Sequence, residues 1–185
     1  MALKATICRA AVQIANIDGN YYRDHALTIA RHPSETDERM MVRVLAFALH
    51  ASDALTFGKG LSDDDEADLW EKDLTGSIRR WIEVGLPDEK RIRRACGRAN
   101  EVFVYSYGGH GASLWWDQVS GKLERARNLT VIQLAQISTR ALAALASRNM
   151  QLNCTIQDEQ VWLADHKETV QVEFTAVRVP TPSAR

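Results

Sequence analysis

The sequence predicts an α/β domain in which a mixed β-sheet is flanked by helices, opened by an N-terminal β-hairpin and closed by C-terminal antiparallel strands. Three observations predict it. Residues 78–84, 88–99 and 101–107 read strand, helix, strand, the order of a right-handed βαβ unit with parallel strands. Within the last of these, Val102, Phe103, Val104 and Tyr105 are continuously apolar, as in a strand covered on both faces. Residues 3–16 alternate loosely between apolar and polar residues ahead of a turn cluster, and 150–178 read as three strands separated by turns at Asp158-Glu159 and Asp165-His166-Lys167. With 185 residues, 45% of them hydrophobic, the chain is long enough to bury a sizeable core as one domain over 1–179. The Pro/Thr/Ser-rich tail at 180–185 reads as disordered.

Taken in order, residues 3–16 and 21–31 form the opening hairpin around the turn cluster Asn16 to Asn20. Ser34, with Asp37 three residues on, fits a helix N-cap and its capping acid. From Met40 to Ala51 the helix is apolar almost all round, interrupted by Arg43 and His50, so it is expected to be buried and packed on a sheet. Glu38 lies in its first turn, on the stripe of Met41, Val42, Leu45 and Leu49. A carboxylate there neutralises the helix dipole or pairs with an arginine; alternatively it joins other acids at a site. The run Asp63-Asp64-Asp65-Glu66 lacks EF-hand spacing and reads as a solvated loop.

Strands 68–73 and 78–84 follow, joined by a tight turn. If Leu74 to Ser77 make a four-residue turn, partner numbers sum to 151, and Asp68 faces Glu83 while Trp70 faces Trp81. The two carboxylates then share one face with Cβ atoms roughly 5 Å apart, and repel unless a proton or cation lies between them. A three-residue turn ending in a left-handed Gly76 shifts the pairing by one and sends the acids to opposite faces. The cross-strand tryptophan pair favours the first register.

Pro87 opens the next helix, with Asp88 and Glu89 in its first turn. Ile92, Ala95, Cys96 and Ala99 form its buried stripe. Lys90, Arg91, Arg93, Arg94 and Arg98 cover the rest, with no acid after Glu89, which suits a phosphate-binding surface. Gly108-Gly109-His110-Gly111 matches no nucleotide-binding fingerprint. Residues 112–124 read as helix, 128–134 as strand and 137–148 as helix. The closing strands are 150–157, 160–165 and 168–178.

The net charge of −1 excludes a polycation, so nucleic acid would have to be attracted by a local patch. No apolar run is long enough to span a membrane, and the first seven residues lack the core of a signal peptide. Cys8, Cys96 and Cys154 are odd in number and far apart. They read as reduced core residues of a cytoplasmic protein rather than zinc ligands.

His-Pro-Ser-Glu-Thr-x-Glu-Arg-Met-Met at 32–41, Trp-Ile-Glu-Val-Gly-Leu-Pro-Asp-Glu at 81–89 and Thr-Ile-Gln-Asp-x-x-Val-Trp-Leu at 155–163 resemble the YaeQ family over essentially the whole chain. That family in turn resembles the PD-(D/E)XK nuclease fold. The resemblance implies a first acid at Asp68, a second at Glu83 and a helix acid at Glu38, together holding Mg²⁺ or Mn²⁺ for hydrolysis of a phosphodiester. Gly85 stands where that fold carries a lysine. Lys90 is the nearest replacement in sequence, with Lys72 and Arg39 as further candidates, and Arg91, Arg93, Arg94 and Arg98 would hold the nucleic-acid backbone. Without the lysine, the same scaffold also suits a non-catalytic module that binds nucleic acid or a protein. The acids could also simply pair with nearby arginines.

Overall fold

The computed structural model describes residues 5–59 and 65–181. Its architecture is mixed α/β, with two mixed sheets and, among the described residues, four α-helices. The chain divides into two compact units. One is built from Met1–His50 and Ile137–Glu173, the other from Ala51–Gln136 and Phe174–Arg185.

In the first unit, β1 (Thr6–Asn16) and β2 (Tyr21–Arg31) form the expected hairpin. β1 also pairs in parallel with β8 (Asn149–Gln157), which leads into the antiparallel β9 (Gln160–Ala164) and β10 (Thr169–Val172), giving the order β10-β9-β8-β1-β2. Helix α1 (Asp37–Leu49) is buried at every position from Met40 to Ala48, as its all-round apolar sequence demands.

The cap of α1 differs from expectation. Thr36, not Ser34, is the N-cap, its hydroxyl accepting from Arg39 N at 3.1 Å. Ser34 is instead tied to His32 Nδ1 at 2.6 Å. Between them Glu35 turns inward, because Arg43 is fully buried one helical face away and needs a counter-charge. Arg43 Nη1 lies 3.0 Å from Glu35 Oε2, and Arg39 Nη1 2.8 Å from Oε1. The capping position is displaced by that buried pair.

In the second unit the sheet runs in the order β11 (Phe174–Arg178), β7 (Leu129–Leu134), β6 (Ala99–Ser106), β5 (Ile78–Val84), β4 (Leu69–Lys72), β3 (Leu55–Phe57). β3, β4 and β5 run antiparallel; β6 and β7 then add parallel strands. Helix α2 (Glu89–Arg98) joins β5 to β6, so the βαβ unit read from the sequence is present with parallel strands. Asp88 caps α2 through Arg91 N at 2.8 Å, placing Pro87 just outside the helix. Helix α3 (His110–Val119) runs into a short 3₁₀ turn at Ser120–Leu123 before β7. Trp81, Ile92, Ala95, Val102, Val104, Leu129 and Val131 form the heart of the core.

A single mixed sheet is what the sequence predicts, and the strands instead sort into two. The run expected as one strand over 168–178 breaks at Glu173, whose N–H donates to Ser138 Oγ at 3.0 Å instead of to a neighbouring strand. Ser138 lies in α4 (Gln136–Ala144). Before the break, β10 pairs with β9; after it, β11 (Phe174–Arg178) pairs with β7. In the tail, Thr181 N donates to Arg127 O at 3.1 Å, and the rest of the disordered segment expected there, 182–185, lies outside the described residues, as do Asp63 and Asp64 of the acidic loop. No helix of the described residues is long and apolar enough to cross a membrane.

Candidate functional site

The register that places Asp68 opposite Glu83 is the observed one, although the turn is of the other kind. Asp73 N donates to Ser77 O at 2.9 Å around Leu74, Thr75 and a left-handed Gly76 (φ 86°). That three-residue turn pairs Lys72 with Ile78. An extra residue on β5, Arg79, then bulges out, and pairing resumes as Glu71 with Arg80, Trp70 with Trp81 and Leu69 with Ile82. The bulge absorbs the one-residue shift that the turn introduces. The tryptophans meet edge to face with centroids 5.8 Å apart, a stabilising cross-strand arrangement.

Asp68 sits one residue ahead of β4 rather than on it. Its backbone is fixed from behind, since Gly58 N donates to Asp68 O at 2.9 Å, and a Cβ on Gly58 would come within 2.0 Å of the Ala67 carbonyl oxygen. The buried Asp68 carboxylate accepts from Val84 N at 2.7 Å, at the very end of β5. Glu83, 2% exposed, is held at both oxygens. Trp81 Nε1 donates to Oε1 at 2.6 Å and Arg91 Nε donates to Oε2 at 2.8 Å. Arg91 also reaches the Glu66 carbonyl at 2.8 Å through Nη2. Burial, and then the charge of Asp68, push Glu83 up to about 7, against the downward pull of its bonds to Arg91 and Trp81.

Two acids and an arginine are thus brought together. Glu38 lies in the first unit, where Thr139 Oγ1 donates to its Oε1 at 2.6 Å. Lys90 is exposed on α2, Lys72 rests its ammonium 3.5 Å over the Trp70 ring, and Arg39 is spent on Glu35. Of the expected phosphate-binding arginines, Arg94 lies 3.3 Å from Asp65, and Arg98 donates to the Asp65 carbonyl at 3.1 Å while stacking over Trp81. Arg93 donates to Lys122 O at 3.0 Å. All three remain substantially exposed.

The Mg²⁺ or Mn²⁺ implied by the resemblance can be tested against this donor set. A hard divalent ion takes oxygen ligands with free lone pairs around an open position. Here each Glu83 oxygen already accepts a short bond, Asp68 accepts from the backbone, and a guanidinium supplies the neutralising charge. Among the described residues no group of three or more His, Cys, Asp or Glu side chains could hold a metal ion. The arrangement does not fit a resident divalent ion. Gly85 explains why no lysine follows Glu83. The chain leaves β5 there at φ 104°, with Gly85 N donating to Tyr105 O at 2.9 Å, a conformation strained for any L side chain. Burial pushes the Cys96 thiol up to about 11 and the Cys154 thiol up to about 12, so these two stay protonated near neutral pH.

In the sequence Arg91 groups with the solvent-facing cations of the helix, and the structure makes it the cation at Glu83. The available signal was its position four residues before Ala95, beside the buried stripe. Arg125 and Arg127 lie in the connection between residues 124 and 128 and carry no site signal in the sequence.

Comparison with known proteins supplies the family. Residues 1–174 match the family model described as YaeQ protein. The chain is 45% identical over 181 residues to the uncharacterised protein YaeQ of Escherichia coli (strain K12), covering 98% of this chain and 100% of that one. The crystal structure of YaeQ from Xanthomonas axonopodis pv. citri is 47% identical with a TM-score of 0.90, covering 96% of this chain and 99% of that one. YaeQ from Pseudomonas syringae, 32% identical, superposes with the same TM-score of 0.90 over 95% of this chain and 97% of its own. With the match running over nearly its full length, the chain belongs to the YaeQ family.

Proposed function

We infer that the protein is a nucleic-acid-binding module on a nuclease-like scaffold, one that holds a phosphodiester backbone without cutting it. Helix α2 carries this reading. Toward the sheet, its Arg91 neutralises the acid pair that a phosphodiesterase would need open for a metal ion. Toward solvent it presents Lys90, Arg93, Arg94 and Arg98. The pairing of Arg94 and Arg98 with Asp65 is no obstacle, because exposed ion pairs of this kind contribute about 0–1 kcal/mol and a polyanion displaces them.

The test is fluorescence anisotropy with labelled single- and double-stranded oligonucleotides over a salt titration, in parallel with gel assays for cleavage in Mg²⁺ or Mn²⁺. Binding that weakens steeply with salt, with a shallower slope in Arg94→Ala/Arg98→Ala and no cleavage in any metal, is the expected result. Absence of binding at low salt overturns the reading. A metal-dependent phosphodiesterase using Asp68 and Glu83 is the alternative, supported by the convergence of the two acids. Cleavage that is lost in Asp68→Asn selects it.

A further inference from the structure

Beside α2 and away from the acid pair, the second unit holds a cleft of about 410 Å³ lined by Arg93, Cys96, Lys122, Arg125, Arg127 and Asn128. We propose that this cleft is a binding site for a phosphate monoester. The proposal does not rest on the nucleic-acid reading above, since a small phosphorylated molecule would satisfy it as fully as a phosphorylated nucleic-acid end.

The charge balance argues for an anion. Four cations line the cleft, and no acid does. Glu89 stands nearby, 3.3 Å from Lys122 Nζ and 3.8 Å from Arg93 Nη1. Arg125 and Arg127 have no ion-pair or hydrogen-bond partner for their guanidiniums among the described residues. Gathering such charges repels them from one another unless an anion enters. Arg178 adds a fifth positive charge behind the cleft. Its Nη2 donates to Glu124 O at 3.2 Å and Ala126 O at 2.6 Å, fixing the segment that carries Arg125 and Arg127.

The type of anion follows from number and size. A carboxylate is satisfied by one guanidinium fork, whereas a phosphate monoester carries ≈ −1.5 to −2 charge at pH 7 and three strong acceptor oxygens. Arg125 and Arg127 offer two unspent forks, with Arg93 and Lys122 alongside. The volume is in the ~300–1,000 Å³ range of small-molecule sites and exceeds what a lone phosphate fills, so the ester group also has room. The floor is neutral: the Cys96 thiol is protonated, and Asn128 Nδ2 donates to the Cys96 and Ala99 carbonyls at 3.1 and 2.8 Å, covering oxygens that would repel an anion.

Gly97, on the rim, gives a clean test. A Cβ there meets nothing within 4 Å, so a longer side chain is accepted and extends into the open space. Gly97→Glu adds a negative charge to the cleft, and Gly97→Gln is the matching neutral control. Calorimetry of the full chain is run with inorganic phosphate, with a nucleoside 5′-monophosphate, and with an octanucleotide bearing or lacking a 5′-phosphate. The expected result is binding of the monophosphate or of the 5′-phosphorylated octamer. Affinity should fall about tenfold or more in Arg125→Ala/Arg127→Ala, and more in Gly97→Glu than in Gly97→Gln. Binding of the free monophosphate identifies a small-molecule source; preference for the phosphorylated octamer alone identifies a nucleic-acid end. Failure of both to bind overturns the proposal, as does binding insensitive to the arginine pair or equal in the two Gly97 variants. A protein that binds both octamers equally, independent of Arg125 and Arg127, retains the nucleic-acid reading and loses this one.

Discussion

Arg91 Nε lies 2.8 Å from Glu83 Oε2 while Trp81 Nε1 donates to Oε1 at 2.6 Å, so a single buried carboxylate is clasped from the helix and from its own strand. Truncating the guanidinium leaves that carboxylate buried beside Asp68 with its counter-charge gone. Above pH 7, where Glu83 is ionised, Arg91→Ala is expected to lower unfolding stability by about 3–5 kcal/mol, read from urea midpoints. The loss should shrink sharply in the Glu83→Gln background, where no charge is left stranded. The same substitution frees Glu83 Oε2 beside Asp68, so Mn²⁺ should raise the melting temperature of Arg91→Ala and leave wild type unmoved. Equal metal responses would show that the arginine does not exclude the ion.

Glu83 also makes stability depend on pH. Its carboxyl is raised to about 7 in the folded state from an ordinary value of 4.5, so between those values the folded chain binds more protons than the unfolded chain. Unfolding free energy therefore falls as pH rises through that window and is flat above it. The drop should be on the order of 1–3 kcal/mol, and Glu83→Gln should flatten this component. A wild-type profile rising from pH 5 to 7, or one unchanged by the substitution, would contradict the assignment.

A lysine placed at position 85 should not create a nuclease. Gly85 has open space around its Cβ position, so the penalty of Gly85→Lys is confined to the backbone at φ 104°. A loss of about 1–2 kcal/mol is expected, measured by chemical denaturation, with no metal-dependent cleavage gained.

At the start of α1 the two hydroxyl candidates separate cleanly. Thr36→Ala removes the acceptor for Arg39 N and should cost about 1 kcal/mol. Ser34→Ala removes an exposed hydroxyl bonded to the half-buried His32 ring and should stay within about 0.5 kcal/mol. Equal losses would return the cap to Ser34.

These residues also mark how far the sequence could be read. The Asp68–Glu83 register was legible because Trp70 and Trp81 fix it by a local cross-strand preference, visible as spacing. The bulge at Arg79 was not, since it exists only to reconcile a turn with a register, and neither one alone requires it. The βαβ segment was legible from periodicity and continuous apolar runs. The break at Glu173 left no signal of its own, because its cause is Ser138, 35 residues away. Likewise Arg91 and Arg98 look alike in sequence, and only the packing of α2 on β5 sends one to Glu83 and the other onto Trp81.

The switch at Glu173 has a consequence for synthesis. β1 waits for its parallel neighbour β8 until residue 149 is made, and β7 waits for β11 until residue 174. Neither sheet can be completed by an emerging nascent chain until its last strand, at 169–172 or 174–178, has been translated. Such late, long-range closure slows folding and leaves unpaired strand edges uncovered in the meantime, so stalled or shortened products of this chain would be prone to aggregate.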